Sequence, residues 1–256
     1  MAYDGTDFFG WQIQPGQRTV QQIMTDALST LFQEQVSVTG AGRTDTGVHA
    51  SHFVAHFDTD LPIDSDPGRK PEKERKNREN RSLEDWVFKL NRFLPADIAV
   101  FRIQEVPVEM HARYSATYRT YQYHISREKP LFDRSYALYL FGSLNVPAIQ
   151  QCCRVILETK DFTSFSKLHT DVKTNICHVT RADWVVLEKG YRFEISADRF
   201  LRNMVRSLVG TLLEVGKGKL DLNGFREIVE ARDRARAGQS APAQGLFLAD
   251  IGYNMP

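Results

Sequence analysis

A chain of 256 residues can bury a sizeable core and is long enough for two domains of about 100 to 150 residues. With 42% apolar residues, 25% charged residues and no apolar run near the roughly 18 that cross a bilayer, the expectation is a soluble globular protein; nothing near Met1 reads as a signal peptide, which points to the cytoplasm. The net charge of +1 carries no general nucleic-acid footprint, and three cysteines, adjacent at Cys152 and Cys153, form neither a CxxC pair nor a disulfide framework, so they read as core residues of a reduced protein.

In chain order, Thr19 with Gln22 three residues later predicts a capping box, and Val20, Ile23, Met24, Ala27, Leu28 and Leu31 follow at helical spacing. Val36 to Thr39 predicts a strand and His49 to Phe57 a returning one. Alternation in the latter sets Phe53, Ala55 and Phe57 against His52, Val54 and His56. His49, His52 and His56 do not make a metal site on this pattern, because His49 faces away from the other two and no carboxylate or cysteine completes the set.

The span 64–81 reads as a charged insertion: Asp66 to Arg81 holds seven basic and four acidic residues with almost nothing apolar. A solvated loop is the simpler reading, and contact with RNA through the surplus positive charge the other. Ser82 then caps a helix with Leu83, Val87, Leu90 and Leu94 on one stripe, closed by Pro95.

Ile98 to Val106 and Thr117 to Ser126 are rich in β-branched and aromatic residues, as strands are, and Tyr121 shares a face with Tyr123. A helix opens at Asn145 with Val146, Ile149, Cys153, Ile156 and Leu157, and strands follow near Asn175 to Leu187 and Tyr191 to Ala197. Phe200 to Val215 predicts a helix with Leu201, Met204, Val205, Leu208, Leu212 and Val215 along one side, and Arg202 and Arg206 one turn apart. Between Arg199 and Arg236 nine basic residues face five acidic ones, enough for a modest basic face. A shorter helix near Leu222 to Ala231 and a strand from Leu246 to Tyr253 close the chain.

The chemistry concentrates in Gly40-Ala41-Gly42-Arg43-Thr44-Asp45-Thr46-Gly47-Val48-His49-Ala50. The glycines allow a turn and close approach, and Arg43 and Asp45 stand two apart, on one side of an extended segment. A guanidinium beside a carboxylate holds it ionised and oriented, as a carboxylate nucleophile requires. On these residues alone an ordinary turn, with Asp45 capping its own backbone, is the simpler reading.

The stretch resembles the GRTDxGVHA signature of the TruA-type tRNA pseudouridine synthases. Six further blocks resemble that family in its order: Tyr3 to Gln12, Leu94 to Val100, His111 to Tyr123, Asp161 to Phe165, Met204 to Gly210 and Gly245 to Leu248. The resemblance implies an α+β fold of two α/β halves, 1–105 and 106–256, whose mostly antiparallel sheets join, with helices on one face and the active cleft between the halves. Relative to the family, the first strand starts late, as if clipped, and the 64–81 insertion is long.

It also implies isomerisation of uridine to pseudouridine at positions 38 to 40 of the tRNA anticodon stem-loop, without cofactor or metal, by a homodimer. Asp45 would be the nucleophile, Tyr121 the ring against the target base with its hydroxyl serving proton transfer, and Arg206, in preference to Arg43, the cation that keeps Asp45 charged. Arg43 would help extrude the nucleotide; Arg202 and His49 complete the expected substrate-binding set. Other classes to weigh are an RNA-binding protein that has lost catalysis, against which Asp45, Tyr121 and Arg206 stand together, and a glycosidase, which lacks an identifiable acid partner.

Overall fold

The computed structural model describes residues 1–60, 82–167 and 174–254, and the chain divides into two compact units, Met1–Ala116 and Thr117–Pro256. Residues 106–116 thus go with the first unit. The charged insertion at 64–81 lies outside the described residues, and no described helix is long and apolar enough to cross a membrane. Helices and mostly antiparallel strands make an α+β fold.

The first unit begins with β1 (Ala2–Tyr3), which pairs antiparallel with β3 (His49–Ala50) on one side and β5 (Ile98–Ala99) on the other; β2 (Thr39–Gly40) and β4 (Ala55–His56) form a separate antiparallel pair. The long return predicted from His49 to Phe57 is therefore two strands broken at Ser51 and His52, because β3 and β4 serve different partners. The predicted alternation fails with it: Phe53 is buried and His52 exposed, but 54–57 are all half-buried. Likewise only Ile98–Ala99 of the predicted strand to Val106 is paired.

Helix α1 (Val20–Phe32) forms where its apolar spacing requires, without the expected capping box. Thr19 is fully buried and its hydroxyl has no partner, while Gln22 reaches forward to Asp26. The first amides are satisfied instead by the Gly10 and Trp11 carbonyls, at 3.3 and 3.0 Å from the Val20 and Gln21 nitrogens. Helix α2 (Leu83–Phe93) starts on Ser82, whose hydroxyl accepts from the Asp85 amide at 3.2 Å, and Trp86 with Leu90 forms the buried stripe. The core gathers Tyr3, Trp11 and Phe53, with Trp11 stacked on Phe53 at 4.2 Å and Tyr3 edge-on to Phe53 at 5.4 Å. Such pairs add about 0.5–1.5 kcal/mol each beyond the area they bury.

In the second unit β6 (Ala116–Ser126) runs parallel to the short β7 (Leu138–Tyr139) and antiparallel to β9 (Gly190–Ala197), which forms a hairpin with β8 (Val179–Leu187). The last strand, β10 (Leu246–Tyr253), flanks β6, with Gly252 beside Thr117 and Phe247 beside His124. Helix α3 (Val146–Glu158), capped by Asn145, packs on β8, on α4 (Met204–Gly216) and on α5 (Leu222–Ala231).

Two departures concern α4. It starts at Met204, four residues later than predicted, after Asn203 in a left-handed conformation (φ 65°). It is also buried all round rather than along one stripe, because Ser207, Gly210 and Thr211 let the 238–241 segment lie against its other side. A Cβ on Gly210 would stand 1.8 Å from the Gln239 carbonyl oxygen, and the Gly238 amide donates to the Thr211 hydroxyl at 3.0 Å.

Candidate active site

Asp45 sits half-buried on the connection between β2 and β3, and that connection is built by the first twelve residues as much as by its own sequence. Thr44 turns inward, where its hydroxyl meets the Tyr3 phenol at 2.8 Å, while its neighbours Arg43 and Asp45 are more open. The Trp11 amide donates to the Thr44 carbonyl at 3.3 Å, the Gly47 amide to the Phe8 carbonyl at 3.2 Å, and the Val48 amide to the Asp45 carbonyl at 3.1 Å. Close approach requires glycine on the clamping side. A Cβ on Gly5 would lie 2.1 Å from the Val48 oxygen, and one on Gly10 (φ 84°) 2.3 Å from the Thr44 oxygen.

His49 is 1% exposed. Its Nδ1 accepts the Gly5 amide at 3.0 Å, and an Asp4 carboxylate oxygen stands 3.1 Å from the same nitrogen. That oxygen already accepts from the Thr6 amide and hydroxyl. His49 therefore fastens the first segment to the loop. Arg43 is exposed and forms no ion pair with Asp45; it lines an open pocket with Trp11, Gly42, His111, Arg113 and Tyr114.

The other expected site residues belong to the second unit. Tyr121 lies on β6 opposite Ile195, half-buried, with its ring edge-to-face on Phe200 at 5.0 Å. Tyr123, two positions along, is fully buried and donates to the Pro242 carbonyl at 2.8 Å. Burial pushes its phenol well above the ordinary tyrosine range, and the nearby Arg206 guanidinium offsets this only in part. Arg206 occupies the first turn of α4, half-buried; its Nε donates to the Ala241 carbonyl at 2.8 Å while its own carbonyl accepts the Ala241 amide at 2.9 Å. The first bond holds the guanidinium against Ala241, and the second ties the helix backbone to the same residue.

Arg202 departs from expectation. It lies before the helix, exposed, rather than one helical turn from Arg206, and its carbonyl holds the Lys167 amide at 3.0 Å.

The sequence model for tRNA pseudouridine synthase matches residues 1–115 and 157–254. The chain belongs to the tRNA pseudouridine synthase family. Over 99% of its length it is similar to tRNA pseudouridine synthase A of Bacteroides thetaiotaomicron, at 49% identity across 88% of that protein. The same holds for tRNA pseudouridine synthase A of Porphyromonas gingivalis, at 44% identity across 95% of that protein, and of Bacillus pumilus, at 37% across 97%. Within the pseudouridine synthase match lie Arg43, Asp45, His49, Arg202 and Arg206, whereas Tyr121 falls between the two matched stretches and only the full-length relatives span it.

Sequence reasoning assigned no role to Tyr3, Gly5, Gly10 or Thr44, the residues that hold the Asp45 loop. Their signal was present as the Tyr3 to Gln12 block, but its contacts join positions about forty residues apart and no local pattern shows them. Arg113 and Tyr114 went unassigned for the same reason: they sit in the His111 to Tyr123 block, remote in sequence from the Arg43 they join.

Proposed function

We propose that this chain isomerises uridine to pseudouridine in the anticodon stem-loop of tRNA, at positions 38 to 40, with Asp45 as nucleophile. The reaction breaks the bond from ribose C1′ to uracil N1, turns the base, and joins C5 to C1′. The C5 proton leaves and N1 ends protonated, so the product is an isomer and side chains can carry every step. Support comes from membership of the family and, within the chain, from one observation above others: the Asp45 loop is fixed from both sides by Tyr3, Phe8, Trp11 and its own Val48 amide. A carboxylate held in one geometry before substrate arrives is what nucleophilic attack gains from, and binding alone does not need it.

The remaining roles follow the family. Asp45 attacks the sugar or the base, Tyr121 lies against the uracil and its hydroxyl serves proton transfer, and Arg206 supplies the cation that keeps the carboxylate charged as bound RNA excludes water. Arg43 and Arg202 meet phosphates. The protein acts as a cytoplasmic homodimer.

The test uses a tRNA transcript tritiated at uracil C5, because forming the new carbon bond expels that hydrogen to water. Wild type releases tritium; Asp45→Asn binds the transcript and loses turnover by at least about 10⁴-fold. Absence of release by folded wild type would leave the binding-only reading, and release by Asp45→Asn at the wild-type rate would remove Asp45 from the mechanism.

A further inference from the structure

A pocket in the first unit takes Gly42 and Arg43 of the Asp45 loop into its wall, but not Asp45 itself. Its walls carry two guanidiniums, Arg43 and Arg113, one exposed aromatic ring, Tyr114, the half-exposed amide side chain of Gln12, and no carboxylate. Gly42 stands in the wall with nothing within 4 Å of where a Cβ would point, so the space beside it is open. Two positive charges, a largely exposed ring and an open glycine wall match the parts of one nucleotide: a phosphate for the guanidiniums, a flat base for the free face of the ring, and polar base edges for an amide.

The ring and one of the cations are held ready. His111 Nδ1 accepts the amides of both Arg113 and Tyr114, at 3.1 and 3.2 Å, while the His111 amide donates to the Ser115 hydroxyl at 3.0 Å and its carbonyl takes the Ser115 amide at 2.9 Å. His56 Nδ1 takes the Ala112 amide at 3.1 Å, so both residues leave a turn tied down at five points. Tyr114 nonetheless stays 78% exposed, with the His111 and Tyr114 ring centroids 4.3 Å apart at a 35° tilt and the Arg113 guanidinium 5.8 Å from the Tyr114 centroid. Fastening the backbone while leaving a large aromatic side chain in water costs solvation that a folding role does not recover, and it lowers the ordering cost of a ligand that stacks there.

We propose that this pocket takes a second nucleotide of the RNA, an immediate strand neighbour of the target uridine, with its phosphate between Arg43 and Arg113 and its base stacked on Tyr114. The neighbour is specified by chain distance, since Arg43 is two residues from Asp45. This rests on the reading of the chain as a uridine-modifying enzyme. The pocket holds the strand on one side of the target, so extrusion of the uridine leaves its neighbour anchored. Stacking is indifferent to base identity, and the pocket therefore grips many tRNAs.

The test is tRNA affinity and its salt dependence, measured by fluorescence anisotropy on the full chain with an unmodified transcript. Arg113→Gln weakens binding about tenfold and lowers the slope of log K against log salt by about one, as loss of a phosphate contact does. Tyr114→Leu weakens binding about tenfold with the slope unchanged, and Tyr114→Phe binds as wild type, because the ring and not the hydroxyl is used. Both side chains are exposed, so thermal midpoints stay at the wild-type value. Wild-type affinity and slope in both Arg113→Gln and Tyr114→Leu overturn the proposal. Tritium release by wild type separates this from the function itself: release with unaffected variants sinks the pocket alone, and no release sinks the enzymatic reading whatever the variants do.

Discussion

His56 and His111 meet edge to face, ring centroids 4.7 Å apart, beneath the turn that carries Arg113 and Tyr114, and each spends its Nδ1 lone pair on backbone amides. A proton on that nitrogen would replace an acceptor by a donor facing a donor. Burial lowers the His56 pKa, the neighbouring His111 lowers it further, and Asp58 opposes both. The sign for stability follows from the folded value lying below the unfolded one, about 6.5. As pH falls through that unfolded value the denatured chain binds a proton that the native chain refuses, so stability is full above it and declines through the window just beneath. Denaturant midpoints should therefore fall between pH 7.5 and pH 5.5. Asn at position 56 offers an amide oxygen in place of Nδ1 and does not titrate, so His56→Asn should flatten the fall; the same fall in variant and wild type would show that this histidine is not its source.

Among elements, the segment from Tyr3 to Trp11 does the most with the least regular structure. Only Tyr3 of it is paired in a strand, yet it closes the Asp45 loop and supplies the Gly10 and Trp11 carbonyls that take the first amides of α1. Gly10 passes close to the loop and combines a positive φ of 84° with a backbone oxygen in the place of a side chain. Gly16 shares the positive φ, at 71°, but has open space around it. Gly10→Ala should therefore cost about 2–4 kcal/mol, the left-handed penalty plus overpacking, and Gly16→Ala only about 1–2 kcal/mol. Thermal denaturation of the two variants measures the difference, and tritium release should fall for Gly10→Ala because the displaced oxygen belongs to Thr44. Equal losses in the two would mean that the clamp yields freely and does not set the Asp45 geometry.

At the scale of the whole molecule, the second unit carries its own reporters. All three cysteines are free and buried in the second: Cys152 and Cys153 on α3, and Cys177 ahead of β8. Burial pushes the Cys152 thiol up to about 11 and those of Cys153 and Cys177 up to about 12. At neutral pH almost no thiolate exists and none is accessible, so a disulfide reagent should titrate no thiol rapidly in native protein and three after denaturation. A fast-reacting thiol in the native state would show that the second unit opens locally. The sequence by itself determined the family, the helices from their apolar spacing, the β8–β9 hairpin and the final strand, because these rest on contacts between near neighbours or on motifs written in order. Asp45 was legible in the same way, as a residue inside a matched stretch. The tertiary structure alone decided that Thr19 caps nothing with its hydroxyl, that α4 is enclosed on all sides, that His49 is a buried fastener, and that Arg43 shares a pocket with Arg113 and Tyr114. Each of these turns on which distant backbone occupies the space beside a side chain, and the chain's local pattern does not encode that until the strands and loops have been brought together.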